Sequence, residues 1–130
     1  MFNTYNYVTS KPSKIVTMPS IPKWLTRFNA VIEDNINDSL LTNDRLAEAM
    51  IISERHLFRK VKALTKMPPQ RYLSQYRLKK AMQYLQNGKY RTVKETAFSV
   101  GFKNPSYFIR QFEKTYGKKP LQVLREGGWR

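Results

Sequence analysis

Cysteine is absent from the chain, and histidine occurs once, at His56. Disulfides and cysteine-based zinc sites are therefore excluded, and a thiol-free chain fits a reducing cytoplasm. The lone histidine has no second imidazole with which to share a metal; packing or hydrogen bonding near a helix start is its expected role. Acidic residues are few, 9 against 24 Lys and Arg. No apolar run approaches the roughly 18 residues that mark a membrane-spanning helix. The amino-terminus has no apolar stretch behind a charged start, so it does not read as a secretory signal. No segment alternates with period two for long enough to form a strand. No paired carboxylates, nucleophile beside a base, phosphate-cradling loop or Cys/His cluster stands out. An enzyme is not expected, and neither is a metal or cofactor.

What is present is positive charge on a chain able to fold. Its 130 residues are 41% hydrophobic, enough for one compact domain with a core. The formal net charge is +15, which calls for an anionic partner, most commonly nucleic acid. The charge is also lopsided. From Trp24 to Glu54 there are 2 basic and 6 acidic residues; from Arg55 onward there are 19 basic and 3 acidic. The first helical stretch is thus expected to face away from a polyanion and the remainder to face towards it.

Along the chain, residues 1–21 show neither helical nor strand period and read as a disordered or extended tail. Helix follows helix after Pro22. The apolar residues Trp24, Leu25, Phe28, Val31, Ile32 and Ile36 share one face, giving a first helix over about 23–36. Thr42 caps a short second helix whose inner face is Leu46, Ala47 and Met50. An Ile51–Ile52 turn leads to Ser53, the cap of a third helix with Leu57, Val61 and Leu64 inward. Pro68–Pro69 begin a long helix that runs to Asn87 and stops at Gly88. Thr92 and Glu95 form a capping box for a fifth helix. Gly101 ends it, and Asn104–Pro105 open a sixth that buries Phe108, Phe112 and Tyr116 before Gly117. Pro120 to Leu124 can make a short last helix. The expected fold is all-α, about seven helices.

The second half repeats the first. Ser53 to Val61 aligns with Asn104 to Phe112 at an offset of 51, matching cap with cap and Arg59 with Arg110. Ala47 and Met50 match Ala97 and Val100 at an offset of 50, so the second turn is one residue longer. Each copy reads as short helix, tight turn and a second, basic helix, the helix-turn-helix pattern. The first occupies about 42–65 and the second about 92–116, joined by a linker helix over 69–87. Together they are expected to form one DNA-binding domain over 22–126.

The segment A-F-S-V-G-F-K-N-P-S-Y-F-I-R-Q-F-E-K-T-Y-G-K-K-P, Ala97 to Pro120, resembles the signature of the AraC/XylS family of bacterial transcription regulators. Leu46–Ala47 and Ser53–Glu54–Arg55–His56–Leu57 resemble the family's other, more variable helix-turn-helix. Lys66 departs from a common glycine and Glu113 from a common lysine; the first bears on how the third helix ends. The resemblance covers about Trp24 to Leu124. It implies a bilobed all-α domain that binds two successive major-groove segments of double-stranded DNA. The resemblance implies that members usually carry a separate sensing or dimerising domain, and none fits in 1–21. A sensor or receiver domain and RNA polymerase are therefore partners expected outside this chain.

The third and sixth helices are the candidate recognition helices, because the major groove admits a helix and carries a full donor–acceptor code. Candidate base contacts are Arg55, Phe58 and Arg59 on one, and Pro105, Ser106, Tyr107 and Arg110 on the other. These positions match those that read bases in the family. For the arginines the competing role is a phosphate contact or an internal salt bridge. Phe58 either touches a thymine methyl group or packs on Arg55. Candidate phosphate contacts are Lys62, Lys66, Arg91, Thr92, Lys114, Lys118 and Lys119, with solvated side chains as the alternative. Trp24, Phe28, Tyr72, Tyr76, Phe108 and Phe112 admit a second reading as base-stacking platforms of a non-specific, RNA-binding module, but their helical spacing favours a core. A basic amphipathic surface docking on anionic membrane is a third reading, disfavoured by the repeat.

Overall fold

The computed structural model describes residues 21–128. Except for Ile21, the tail expected over 1–21 lies outside them. Seven α-helices follow in order: α1 (Lys23–Asp34), α2 (Asn43–Met50), α3 (Glu54–Thr65), α4 (Pro69–Asn87), α5 (Val93–Ser99), α6 (Pro105–Tyr116) and α7 (Pro120–Val123). A π-helical turn, Leu124–Gly128, closes the fold against α4. No strand occurs among the described residues.

Local chemistry fixes most helix ends. The Thr42, Ser53 and Asn104 side chains accept the N–H groups of Arg45, His56 and Tyr107, covering amides that would otherwise lack partners. Thr92 and Glu95 form the reciprocal capping box that starts α5. Each such cap contributes on the order of 1 kcal/mol. Helix α1 is shorter than its apolar period implies. It ends at Asp34, because the Asn35 side chain turns back to donate to the Val31 carbonyl at 2.8 Å. Ile36 therefore leaves the helix and packs elsewhere.

Two hydrophobic clusters result, one for each helix-turn-helix. The first gathers Phe28 and Ile32 of α1 with Leu46, Leu57, Val61 and Leu73. The second gathers Leu78, Ala81 and Leu85 of α4 with Ala97, Phe108 and Phe112, and it also takes Ile36. Burying a side chain of this size contributes about 1.5–3 kcal/mol, so each lobe has its own core. Helix α4 belongs to both. Its early turns face the first cluster through Leu73, its later turns face the second, and Tyr76 touches both.

Helix α1 is held on α4 by polar bonds as well. The Tyr76 hydroxyl donates to Glu33 at 2.7 Å, Lys80 pairs with the same carboxylate at 2.7 Å, and the Tyr72 hydroxyl lies 2.6 Å from Asn29 Oδ1. Burial acts to raise the Glu33 pKa, but the bonds from Lys80 and Tyr76 outweigh it and hold the carboxyl below its ordinary value. Where the lobes meet, the Arg77 guanidinium is buried and donates from Nη2 to the Asp38 carbonyl at 2.6 Å. Burial lowers its pKa and Asp38 opposes that shift; an arginine remains a cation throughout the physiological range.

Candidate nucleic-acid interface

The two turns are built alike. In the first, the Ile51 N–H donates to the Glu48 carbonyl at 3.0 Å and Ile52 N–H to Ala47 at 3.1 Å. In the second, Gly101 N–H donates to Phe98 at 3.0 Å and Phe102 N–H to Ala97 at 2.9 Å. Both turns demand a left-handed residue, Ile51 at φ 60° and Gly101 at φ 92°. Glycine meets that demand without steric cost; isoleucine does not. Ile52 thus corresponds to Phe102 and Ser53 to Asn104. The extra residue of the second turn is Lys103.

This geometry decides what α3 and α6 present. Leu57 and Val61 are fully buried, which turns Arg55, Phe58, Arg59 and Lys62 outward. Phe58 is 46% exposed, a large apolar group left open on a polar helix face. On α6, Phe108 and Phe112 anchor the inner side, leaving Ser106, Tyr107, Arg110 and Lys114 exposed. Pro105 is half-buried at the first helical position. The Arg110 guanidinium lies over the Tyr107 ring, 5.8 Å from its centroid, and the Tyr107 ring leans on Phe102. A cation held against a ring in this way is partly pre-ordered.

The phosphate candidates are more scattered. Thr92 is the exposed cap of α5, with Arg91 exposed beside it. Lys119 is exposed before α7. Lys118 instead reaches Glu126 at 3.3 Å, so a DNA contact by Lys118 competes with that pair. Sequence reasoning missed Lys103 and Arg77. Lys103 is visible only once the turn insertion is placed. Arg77 interrupts the row Leu73, Ala81, Leu85 at spacing of four, a signal present in the sequence but masked by the wide apolar spread of α4. The aromatic side chains that admitted a stacking role lie in the cores: Phe28, Phe108 and Phe112 are fully buried, and Trp24, Tyr72 and Tyr76 pack against the clusters.

Lys66 shows the conflict between backbone and surface. It ends α3 in the left-handed region, φ 65°, where glycine is favoured, and its side chain is exposed. Lys66→Gly is expected to stabilise the fold by about 0.5–1 kcal/mol, the relief of that conformation less the added unfolded-state entropy. The same change should weaken DNA binding and lower the salt slope by about 1 if Lys66 contacts a phosphate. Denaturant unfolding and a salt-dependent DNA titration read the two effects separately. A stabilised variant with unchanged DNA affinity would remove Lys66 from the interface.

Two helix-turn-helix lobes on a shared helix, each with a basic outward helix, define a DNA-binding transcription-regulator domain. A helix-turn-helix domain family model matches residues 46–126. Histidine kinase P4 of Formosa agariphila is 29% identical over 121 residues, 93% of this chain and 9% of that protein. The transcriptional activator RhaS of Escherichia coli is 33% identical over 98 residues, 75% of this chain and 34% of RhaS. The C-terminal domain of the two-component response regulator YesN from Fusobacterium nucleatum superposes with a TM-score of 0.68 at 32% identity, covering 77% of this chain and 96% of that domain. The chain belongs to the AraC/XylS family of helix-turn-helix regulators. It spans about a third or less of these two curated relatives. Among the described residues no helix is long and apolar enough to cross a membrane.

Proposed function

We propose that the chain is a sequence-specific reader of double-stranded DNA that places α3 and α6 in successive major-groove segments of one duplex. The observation that carries this reading is the duplicated turn: each copy buries one side of its second helix and leaves the polar side open. The DNA-binding unit is assigned to residues 22–126. Base reading falls to Arg55, Phe58 and Arg59 in one box, and to Pro105, Ser106, Tyr107 and Arg110 in the other. Phosphate contacts fall to Lys62, Lys66, Arg91, Thr92, Lys114, Lys118 and Lys119. The YesN domain comes from a response regulator and RhaS is an activator by name. On that basis a receiver or sensor domain and RNA polymerase are assigned as partners of the whole protein.

Selection from a random duplex pool tests the reading. Two unlike boxes should emerge, since the outer residues of the two helices differ. A pool left unenriched against random competitor would instead mark a non-specific nucleic-acid binder. Within the selected site, Arg59→Ala and Arg110→Ala should each cost about 1–3 kcal/mol and relax preference at one or two base pairs. Lys114→Ala should weaken all sequences alike. A base-substitution series across the site, titrated with each variant, checks this; an intact preference after Arg59→Ala would move Arg59 to the phosphate group.

A further inference from the structure

Between the two lobes lies an open cleft of about 360 Å³, lined by Ser39, Gln70, Ser74, Arg77, Lys103 and Tyr107 together with Gly101, Phe102 and Asn104. Its lining holds two cations and no carboxylate. Arg77 is the unusual member. Only 8% of its surface is exposed, yet among the described residues its side chain makes one hydrogen bond, to the Asp38 carbonyl. Its Nε is buried with no acceptor. The Asp38 carboxylate, whose charge acts on Arg77, is itself bound at 2.8 Å to Arg45. A buried guanidinium with so few acceptors is costly unless an anion completes it. The second cation, Lys103, is the residue by which the second turn exceeds the first. Ser39 and Ser74 add hydroxyl groups, and Gln70 adds an amide that already reaches the Leu41 carbonyl.

We infer that this cleft binds one phosphodiester group of the DNA backbone, at the stretch of duplex between the two boxes read by α3 and α6. The inference rests on the two-box reading proposed above. A planar guanidinium and an ammonium on the lining of one cleft that holds no carboxylate suit a tetrahedral oxyanion. The place in the fold selects the source. Asn104 and Tyr107 begin α6, a proposed reading helix, and Gln70 begins α4, the helix shared by both lobes. A backbone that runs from one lobe to the other must pass this seam. The contact would tie both lobes to one phosphate and fix their spacing on DNA.

The test uses duplexes with a single neutral methylphosphonate stepped through the segment between the boxes. One position should weaken binding about tenfold, the scale of a charge-assisted hydrogen-bonded contact. Lys103→Ala, on an exposed side chain, should itself weaken binding several-fold and blunt the effect of that one methylphosphonate. Arg77→Lys should do the same more strongly, with circular dichroism reporting that it folds. The side-chain NMR signals of Arg77 should shift on adding native duplex. If no position between the boxes is sensitive, or the Arg77 signals stay still while those of α3 and α6 move, the cleft inference is overturned and the two-box reading stands. If the signals of α3 and α6 also stay still, the two-box reading falls as well. Saturation of the Arg77 signals by inorganic phosphate alone, undisturbed by later addition of duplex, would assign the cleft to a free phosphate ligand and overturn the DNA assignment.

Discussion

Gly101→Ala should destabilise the chain by roughly 3–5 kcal/mol, a large share of a typical domain's stability. The residue sits at φ 92°, a backbone conformation that alanine adopts at a cost of about 1–2 kcal/mol. The larger part of the effect is spatial. A Cβ at this position would lie 2.3 Å from the Ile36 carbonyl oxygen, and 2.7 and 2.8 Å from Arg77 Nε and Cζ. The carbonyl is backbone and the arginine is buried, so neither retreats without opening the seam between the lobes. Gly117 is the internal control. It is also left-handed, at φ 72°, but a Cβ there meets nothing within 4 Å. Gly117→Ala should therefore cost only the conformational part, about 1–2 kcal/mol. Urea unfolding of both variants compares the two costs directly. Equal losses would mean that the seam is not packed as described.

Insertion of five base pairs between the two selected boxes should abolish tight binding, with a loss on the order of a hundredfold or more. Helix α4 has 19 residues, a length of about 28 Å at ~1.5 Å per residue. One turn of DNA is about 34–36 Å. A helix of that length, with lobes packed on both ends, suits two recognition helices in adjacent major grooves on one face of the duplex. The selected boxes should accordingly lie about 10–10.5 base pairs apart, centre to centre. A half-turn insertion moves one box to the far face, and one lobe is reduced to non-specific backbone attraction. Specific sites are bound about 10³–10⁷ times more tightly than random DNA, so losing one box removes a large share of that ratio. A titration of native, five-pair and ten-pair spacers on a single chain reads this out. If affinity is unchanged by the five-pair spacer, only one lobe reads bases, or α4 does not hold the lobes at fixed spacing.

The sequence by itself determined the features that local chemistry controls. The caps Thr42, Ser53, Thr92 and Asn104 act within three residues along the chain, so their bonds are written into adjacent letters. The inner faces of α3 and α6 follow from helical spacing, since Leu57 and Val61, like Phe108 and Phe112, fall four apart. The repeat was legible for the same reason, and with it the all-α fold and the outward residues. Lys66 as a helix-ending residue was visible only as a departure from the family's glycine; its left-handed angle came from the structure. What joins the lobes had no such local mark. Ile36 reads as part of the α1 stripe, yet it packs in the second core, because Asn35 stops the helix and frees it. Arg77 falls by spacing in the row Leu73, Ala81 and Leu85, but nothing local shows that it meets the Asp38 carbonyl 39 residues earlier in sequence and abuts Gly101. Spacing along one helix fixes which residues share a face. Only the packing of two lobes on α4 decides which distant backbone that face meets, and hence where the basic cleft lies.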